Sequence, residues 1–183
     1  EIDAILNTAS FKDYCPNGLQ IQGRPSITKI AAAVTASRSV IEQAAAWGAD
    51  ALLVHHGYFW KGEDAPIVGM KHGRIAALIK HDINLIAYHL PLDAHPILGN
   101  NAQLALKLGF QVAGQVPTEP LVWHGTSDCL TLGELAARIE QRLGRAPQVI
   151  GDARAAVGTV AWCTGAAQGY ITTAAACGAQ TFI

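Results

Sequence analysis

The hydrophobic positions of this chain follow two periods. Residues 19–23 alternate as Leu19-Gln20-Ile21-Gln22-Gly23, the pattern of a half-buried strand. Residues 30–34, 51–54 and 84–88 are apolar runs short enough to be buried strands. Between the strands the period lengthens. Val40, Ile41, Ala44 and Ala45 share one helical face, with Gly48 as the stop. Ser37 or Ser39 can cap that helix, and Ser39 with Glu42 fits a capping box. Ile75, Leu78 and Ile79 stripe a second helix. An Asn at the Gly99-Asn100-Asn101 turn caps a third, which carries Leu104 and Leu108 and stops at Gly109. Residues 1–12 read as a short helix. Residues 13–18 are turn chemistry, where Pro16 fixes φ and Asn17-Gly18 tolerates positive φ.

The second half is less regular at first. Residues 111–130, with Pro117 and Pro120, read as an irregular connection. Thr131 and Glu134 then form a capping box, followed by the stripe Leu132, Leu135, Ala136, Ile139 and Leu143 before Gly144. Residues 158–163 read as a strand, 165–169 as a small-residue turn into a helix ending near Cys177-Gly178, and 180–183 as the start of another strand. Strands alternating with helices predict a parallel sheet with helices packed on it. Right-handed crossovers then place the strand C-termini on one edge, where α/β sheets carry their sites. A closing strand with no covering helix makes the sequence read as cut short.

Composition narrows the class. The chain has 183 residues, half of them hydrophobic and 15% charged, enough for a sizeable core in one domain or slightly more. The net charge is −1 and no Lys/Arg cluster is visible, which argues against a nucleic-acid surface. No apolar segment approaches the ~18 residues of a membrane span, and no signal-peptide pattern is present. Cys15, Cys129, Cys163 and Cys177 are scattered without a C-x-x-C pair, so a reduced, cytoplasmic protein is expected. Cys163 and Cys177, among apolar neighbours, read as small core residues.

Candidate chemistry sits where two strands end. The run 51–54 stops in His55-His56-Gly57, and the run 84–88 in His89-Leu90-Pro91-Leu92-Asp93-Ala94-His95. Imidazole and carboxylate are natural ligands for zinc, manganese, iron or nickel. Neighbours on a strand point to opposite faces. His55 and His56 therefore converge only if the backbone turns, which Gly57 permits, or diverge slightly to serve two ions. Asp93 follows Pro91 in a stiffened loop, and His89 and His95 stand as ligands, orienting donors or substrate contacts. His72 and His81 flank a helix and read as solvated, and His124 lies in a loop without a signal. Tyr58-Phe59-Trp60 reads as a packing or subunit-contact loop, and Lys61 as a solvated cation. The turn at 165–169 lacks phosphate-loop spacing.

These residues resemble a known family. Asp13-Tyr14-Cys15-Pro16-Asn17-Gly18-Leu19-Gln20, Val54-His55-His56-Gly57, the His89 to His95 segment and Gly99-Asn100-Asn101-Ala102-Gln103 are similar, in order, to the dinuclear-metal-centre proteins of the Nif-three-like family. Its members are labelled GTP cyclohydrolase I type two homologues. Trp162-Cys163-Thr164-Gly165 and Ala179-Gln180-Thr181-Phe182-Ile183 resemble its later strands. The resemblance implies an α/β fold with a mixed, largely parallel sheet and flanking helices, in two related lobes. Residues 1–110 would be the first lobe, carrying both motifs, and 111–183 the start of an incomplete second lobe. It implies metal ligation by His55, His56 and Asp93. Two divalent ions per subunit are expected in the complete protein, with zinc, manganese, iron or nickel fitting. The family's later His and bridging Glu have no match in this chain. The implied assembly is a homohexameric ring. The implied activity is hydrolysis of a small, nucleotide-like substrate by metal-activated water. The competing class is a non-enzymatic metal-binding ring, serving as a store or interaction platform.

Overall fold

The computed structural model describes all residues Glu1–Ile183, which divide into two compact units, Glu1–Leu92 and Asp93–Ile183. In the first unit, α1 (Ile2–Leu6) and a 3-10 turn precede β1 (Gly18–Ile21). There follow β2 (Ile30–Thr35), α2 (Arg38–Trp47), β3 (Ala51–His56), α3 (Gly69–Lys80) and β4 (Asn84–Ala87). The sheet order is β1-β4-β3-β2. β2, β3 and β4 are mutually parallel and β1 runs antiparallel on β4. The three continuous apolar runs are thus the parallel strands, and the alternating run is the antiparallel edge. Leu52, Val54, Leu85 and Ala87 meet Ile41 from α2 and Ile75 and Leu78 from α3 in one core.

Helix ends follow the local chemistry. Ser37, not Ser39, caps α2: its hydroxyl accepts from the Val40 N–H at 3.3 Å, and Gly48 closes the helix at φ 75°. Gly57 needs to be glycine for lack of space rather than for its backbone angle. A Cβ there would overlap Gln20 Oε1 and lie 2.8 Å from the Ala87 Cβ.

The second unit contains α5 (Asn100–Leu108), β5 (Gln111–Val116), β6 (Glu119–Thr126), α6 (Leu132–Leu143), β7 (Thr159–Trp162), α7 (Ile171–Ala176) and β8 (Thr181–Phe182). The short helix α4 (Leu90–Ala94) carries the chain from one unit into the next. The boundary therefore falls earlier than the expected division near residue 110. Ala105 and Leu108 of α5 pack with Leu135 and Ile139 of α6, so α5 belongs to the second core.

Residues 111–126 are a correction to the sequence reading. They form an antiparallel hairpin, with Val116 paired to Glu119 across Pro117-Thr118. Gly114, at φ 159°, sits where the hairpin register shifts, and the shifts break the even alternation that marks a strand in sequence. Pro120 is tolerated because β6 pairs with β7 only from Trp123 onward. The sheet order is β5-β6-β7-β8, antiparallel except for β7 with β8. The first sheet is largely parallel, as expected, whereas the second is mixed in the opposite proportion.

β6 and β7 are buried on both faces. Trp123, Val160 and Trp162 pack into one core, and Val122, Ala161 and Cys163 into another. α6 carries the expected capping box, with Thr131 and Glu134 each satisfying the other's backbone N–H. Cys15, Cys129 and Cys163 are buried, but Cys177 is exposed because it caps the short α7. No helix is long and apolar enough to cross a membrane.

Candidate metal centre

The parallel register of the first sheet decides where its polar residues go. Thr35 pairs with His56, and Val54 with Ala87, so β2, β3 and β4 leave the core on one edge. His55 and His56 do converge there. Their ring centroids are 4.5 Å apart, and His89, just beyond β4, lies 5.0 Å from His55 and 5.9 Å from His56. One nitrogen of each of the three rings lies within 4.8 Å of the others.

Each ring is oriented through Nδ1. His55 Nδ1 donates to the Tyr88 carbonyl at 2.9 Å. His56 Nδ1 is 3.1 Å from Thr35 Oγ1. His89 Nδ1 donates to Asp13 Oδ1 at 2.7 Å. A carbonyl and a carboxylate only accept, so Nδ1 of His55 and His89 carries the proton. In the neutral rings this puts the lone pair on Nε2. Fixing the tautomer through an oxygen partner is how metal-ligating histidines are set.

Asp13 is the organising group that sequence reading missed. Its side chain is nearly fully buried. Oδ1 accepts from the Tyr14 N–H as well as from His89, and Oδ2 accepts from Asn17 Nδ2 and the Leu90 N–H, both at 2.9 Å. Burial alone would raise its pKa, but these hydrogen bonds outweigh burial and hold it at about 2. Burial pulls the His89 imidazole down, yet the Asp13 carboxylate and the neighbouring Cys15 push it up to about 9. Asn17 Oδ1 accepts from the His89 N–H at 2.8 Å, tying the 13–17 turn to the strand end. Asp13 and Asn17 bracket Pro16, and the bonds from this turn to His89 and Leu90 span more than 70 residues, so no local signal marked them. Asp13, Cys15 and His89 also form a group of possible metal-binding atoms, but all Asp13 bonds named here go to protein.

The other predicted residues fall as follows. Asp93 lies on α4 rather than in a loop, and it begins the second unit. It is buried, and its Oδ1 accepts from Asn100 Nδ2 at 2.7 Å and Thr164 Oγ1 at 3.2 Å. Neither Asn100 nor Asn101 caps α5, whose N-cap is Gly99. Asn101 instead is fully buried. Its amide donates to the Asp93 and Leu121 carbonyls, and its Oδ1 accepts from the Thr164 N–H. His95 accepts from the Ile97 and Leu98 N–H groups through Nδ1. His72 and His81 are exposed, as expected. His124 lies on β6, not in a loop. The aromatic loop after β3 is more than packing: the Trp60 ring stands edge-on to His89 at 4.9 Å and 6.0 Å from His56.

The family model described as Duf34/NIF3 (NGG1p interacting factor 3) matches residues 1–183. A protein of Escherichia coli strain K12 named GTP cyclohydrolase 1 type 2 homolog is 52% identical over all of this chain and 74% of its own length. A Neisseria meningitidis serogroup B protein of the same name is 55% identical over 92% of this chain and 68% of its own. The solved structure of protein ybgI, described as of unknown function, matches 99% of this chain and 73% of its own at 51% identity and a TM-score of 0.95.

Proposed function

Since the chain belongs to the Duf34/NIF3 family, we propose that it is a metal-dependent hydrolase acting on a nucleotide-like small molecule. The observation that carries this reading is the convergence of three imidazole nitrogens within 4.8 Å, two of them with the proton fixed on Nδ1. That donor set suits a divalent ion such as zinc, manganese, iron or nickel. When bound, such an ion supplies Lewis-acid polarisation and water activated near neutral pH.

The chain's own residues have the following parts. His55 and His56 are ligands, oriented by the Tyr88 carbonyl and by Thr35. His89 is the third imidazole. Asp13 holds the proton on its Nδ1 and raises its basicity, as carboxylates do behind ligating histidines. Asp93 is assigned as a further ligand on the H-x-x-x-D spacing from His89, and two ions per subunit belong to the same reading. The substrate class follows the name of the relatives, GTP cyclohydrolase 1 type 2 homolog. Assembly into a hexameric ring is part of the proposal and is read by light scattering.

The test is turnover. Protein loaded with zinc, manganese, iron or nickel is expected to hydrolyse at least one member of a nucleotide panel, and His56→Ala to abolish it. Tight metal binding with no turnover under any metal would replace the hydrolase with a metal store.

A further inference from the structure

We propose that Trp60 is the recognition wall of this centre and stacks a planar heterocycle of the substrate, with Lys61 meeting its anionic group. This rests on the hydrolase reading only for where the reacting atoms lie. The loop after β3 is fixed at several points. Tyr58 is buried, its hydroxyl donating to the Ala36 carbonyl at 2.6 Å and its N–H to Gln20 Oε1 at 2.7 Å. Phe59 adopts φ 64°, a left-handed conformation that costs a non-glycine residue and is held only where surroundings impose it. Its ring packs edge-on to Tyr58 and under the Lys71 ammonium. That sharp turn sends the next side chain, Trp60, toward the histidines.

Trp60 is itself held in place. Its Nε1 donates to the Gly57 carbonyl at 3.2 Å, and its N–H to Glu63 Oε2 at 3.2 Å. The ring is half-buried and adjoins both His56 and His89. An indole packed only as core would be covered on all sides. This one is partly open, immobilised and next to the candidate centre. The Lys61 N–H donates to the Tyr14 carbonyl at 2.6 Å, which joins this loop to the 13–17 turn. Tyr14 is 59% exposed, and Lys61 is exposed. A partly open indole thus borders two of the three imidazoles, with the exposed Lys61 following it in the chain. Flat π-systems bind on such aromatic platforms, and a base on an aromatic side chain gains about tenfold or more in affinity.

The experiment compares GTP with inorganic triphosphate, which carries the anionic chain without the ring. Both are titrated calorimetrically into the cobalt-loaded protein. GTP is expected to bind at least about tenfold more tightly. Trp60→Leu should erase that preference and Trp60→Phe keep part of it, while triphosphate affinity stays unchanged. Lys61→Ala should weaken both probes alike. Equal wild-type affinities, binding of neither probe, or a preference that survives Trp60→Leu would overturn the assignment. So would a smaller assembly by light scattering with the preference intact, which would make Trp60 a subunit contact. The visible cobalt band of the same samples reports the metal centre separately. Its absence from the wild type would count against the metal reading, not against Trp60.

Discussion

At the N-terminal ends of β3 and β4, Asp50 accepts from the Thr28 N–H, the Thr28 hydroxyl and the Lys29 N–H, each at 2.9 Å, and pairs with Arg24. Asn84 accepts from the Gly23 N–H and donates to the Arg24 and Asp50 carbonyls. At the other end of the same strands, His55, His56 and His89 turn their rings toward one another. Both ends are polar and partly buried, and the difference lies in their partners. Asp50 and Asn84 bond to backbone and side chains that would otherwise be stranded, so their polarity holds the loop from Gly23 to Lys29 onto the sheet. The three imidazoles are oriented by oxygens at Nδ1 and gather like groups beside one another. Gathering three similar dipoles gains folding little, but it makes a donor set. The N-terminal end is therefore read as a lock and the C-terminal end as a site.

The largest expected effect breaks the site and spares the lock. His56→Ala should weaken metal binding by more than the ~100-fold that losing an outer hydrogen-bonding partner costs, as measured by cobalt titration. Its metal-free unfolding midpoint should stay close to wild type. The mirror experiment is Asn84→Ala. Removing the amide strands the Gly23 N–H and the Arg24 carbonyl, at a cost of about 2–3 kcal/mol in urea denaturation. Cobalt affinity of the folded fraction should not change. If Asn84→Ala loses metal while His56→Ala loses stability, the division between lock and site is wrong.

The sequence made the site's histidines legible more readily than the group that organises them. His55, His56 and His89 each end an apolar run, and parallel pairing brings such ends together. Asp13 lay in a segment whose Pro and Asn-Gly already explained a turn, and nothing local reveals that its oxygens serve residues near position 89. That information is long-range, as the bonds of Asp13 to His89 and Leu90 are. The hairpin of residues 111–126 was obscured for a different reason. Its register shifts and Gly114 break the alternation, and Pro117 reads as a breaker although it sits in the turn. Parallel buried strands advertise themselves as apolar runs, whereas an irregular hairpin does not.

Asp13 sharpens the comparison because it lies at the site end but is bonded like a lock residue. Asp13→Asn keeps the shape and removes the charge. His89 then loses the carboxylate that fixes its Nδ1 proton, and cobalt affinity should fall by about 10–100-fold. Asp13→Ala should lose a similar factor and also lower the thermal midpoint, since the Leu90 N–H and the Asn17 amide lose their acceptor. Equal midpoints for the two variants would mean that Asp13 serves the site alone.

The smallest effect concerns pH at the opposite end. The Thr28 N–H, the Thr28 hydroxyl and the Lys29 N–H hold the Asp50 carboxyl at about 2, with the Arg24 charge adding to them against burial. In the unfolded chain the same group returns to its ordinary value of 3.8. The folded value is the lower one, so the unfolded state takes up the proton first as pH falls. The stability Asp50 contributes is therefore fully present above 3.8 and is lost as pH drops through the window toward about 2. Asp50→Asn cannot titrate, so subtracting its urea stability from that of wild type isolates this group from the other carboxylates. The difference should be flat from neutral pH down to mild acid and shrink below that window's upper limit. A difference that grows with acidity would mean that Asp50 is held as the neutral acid, and the loop from Gly23 to Lys29 would then be fastened by something other than its charge.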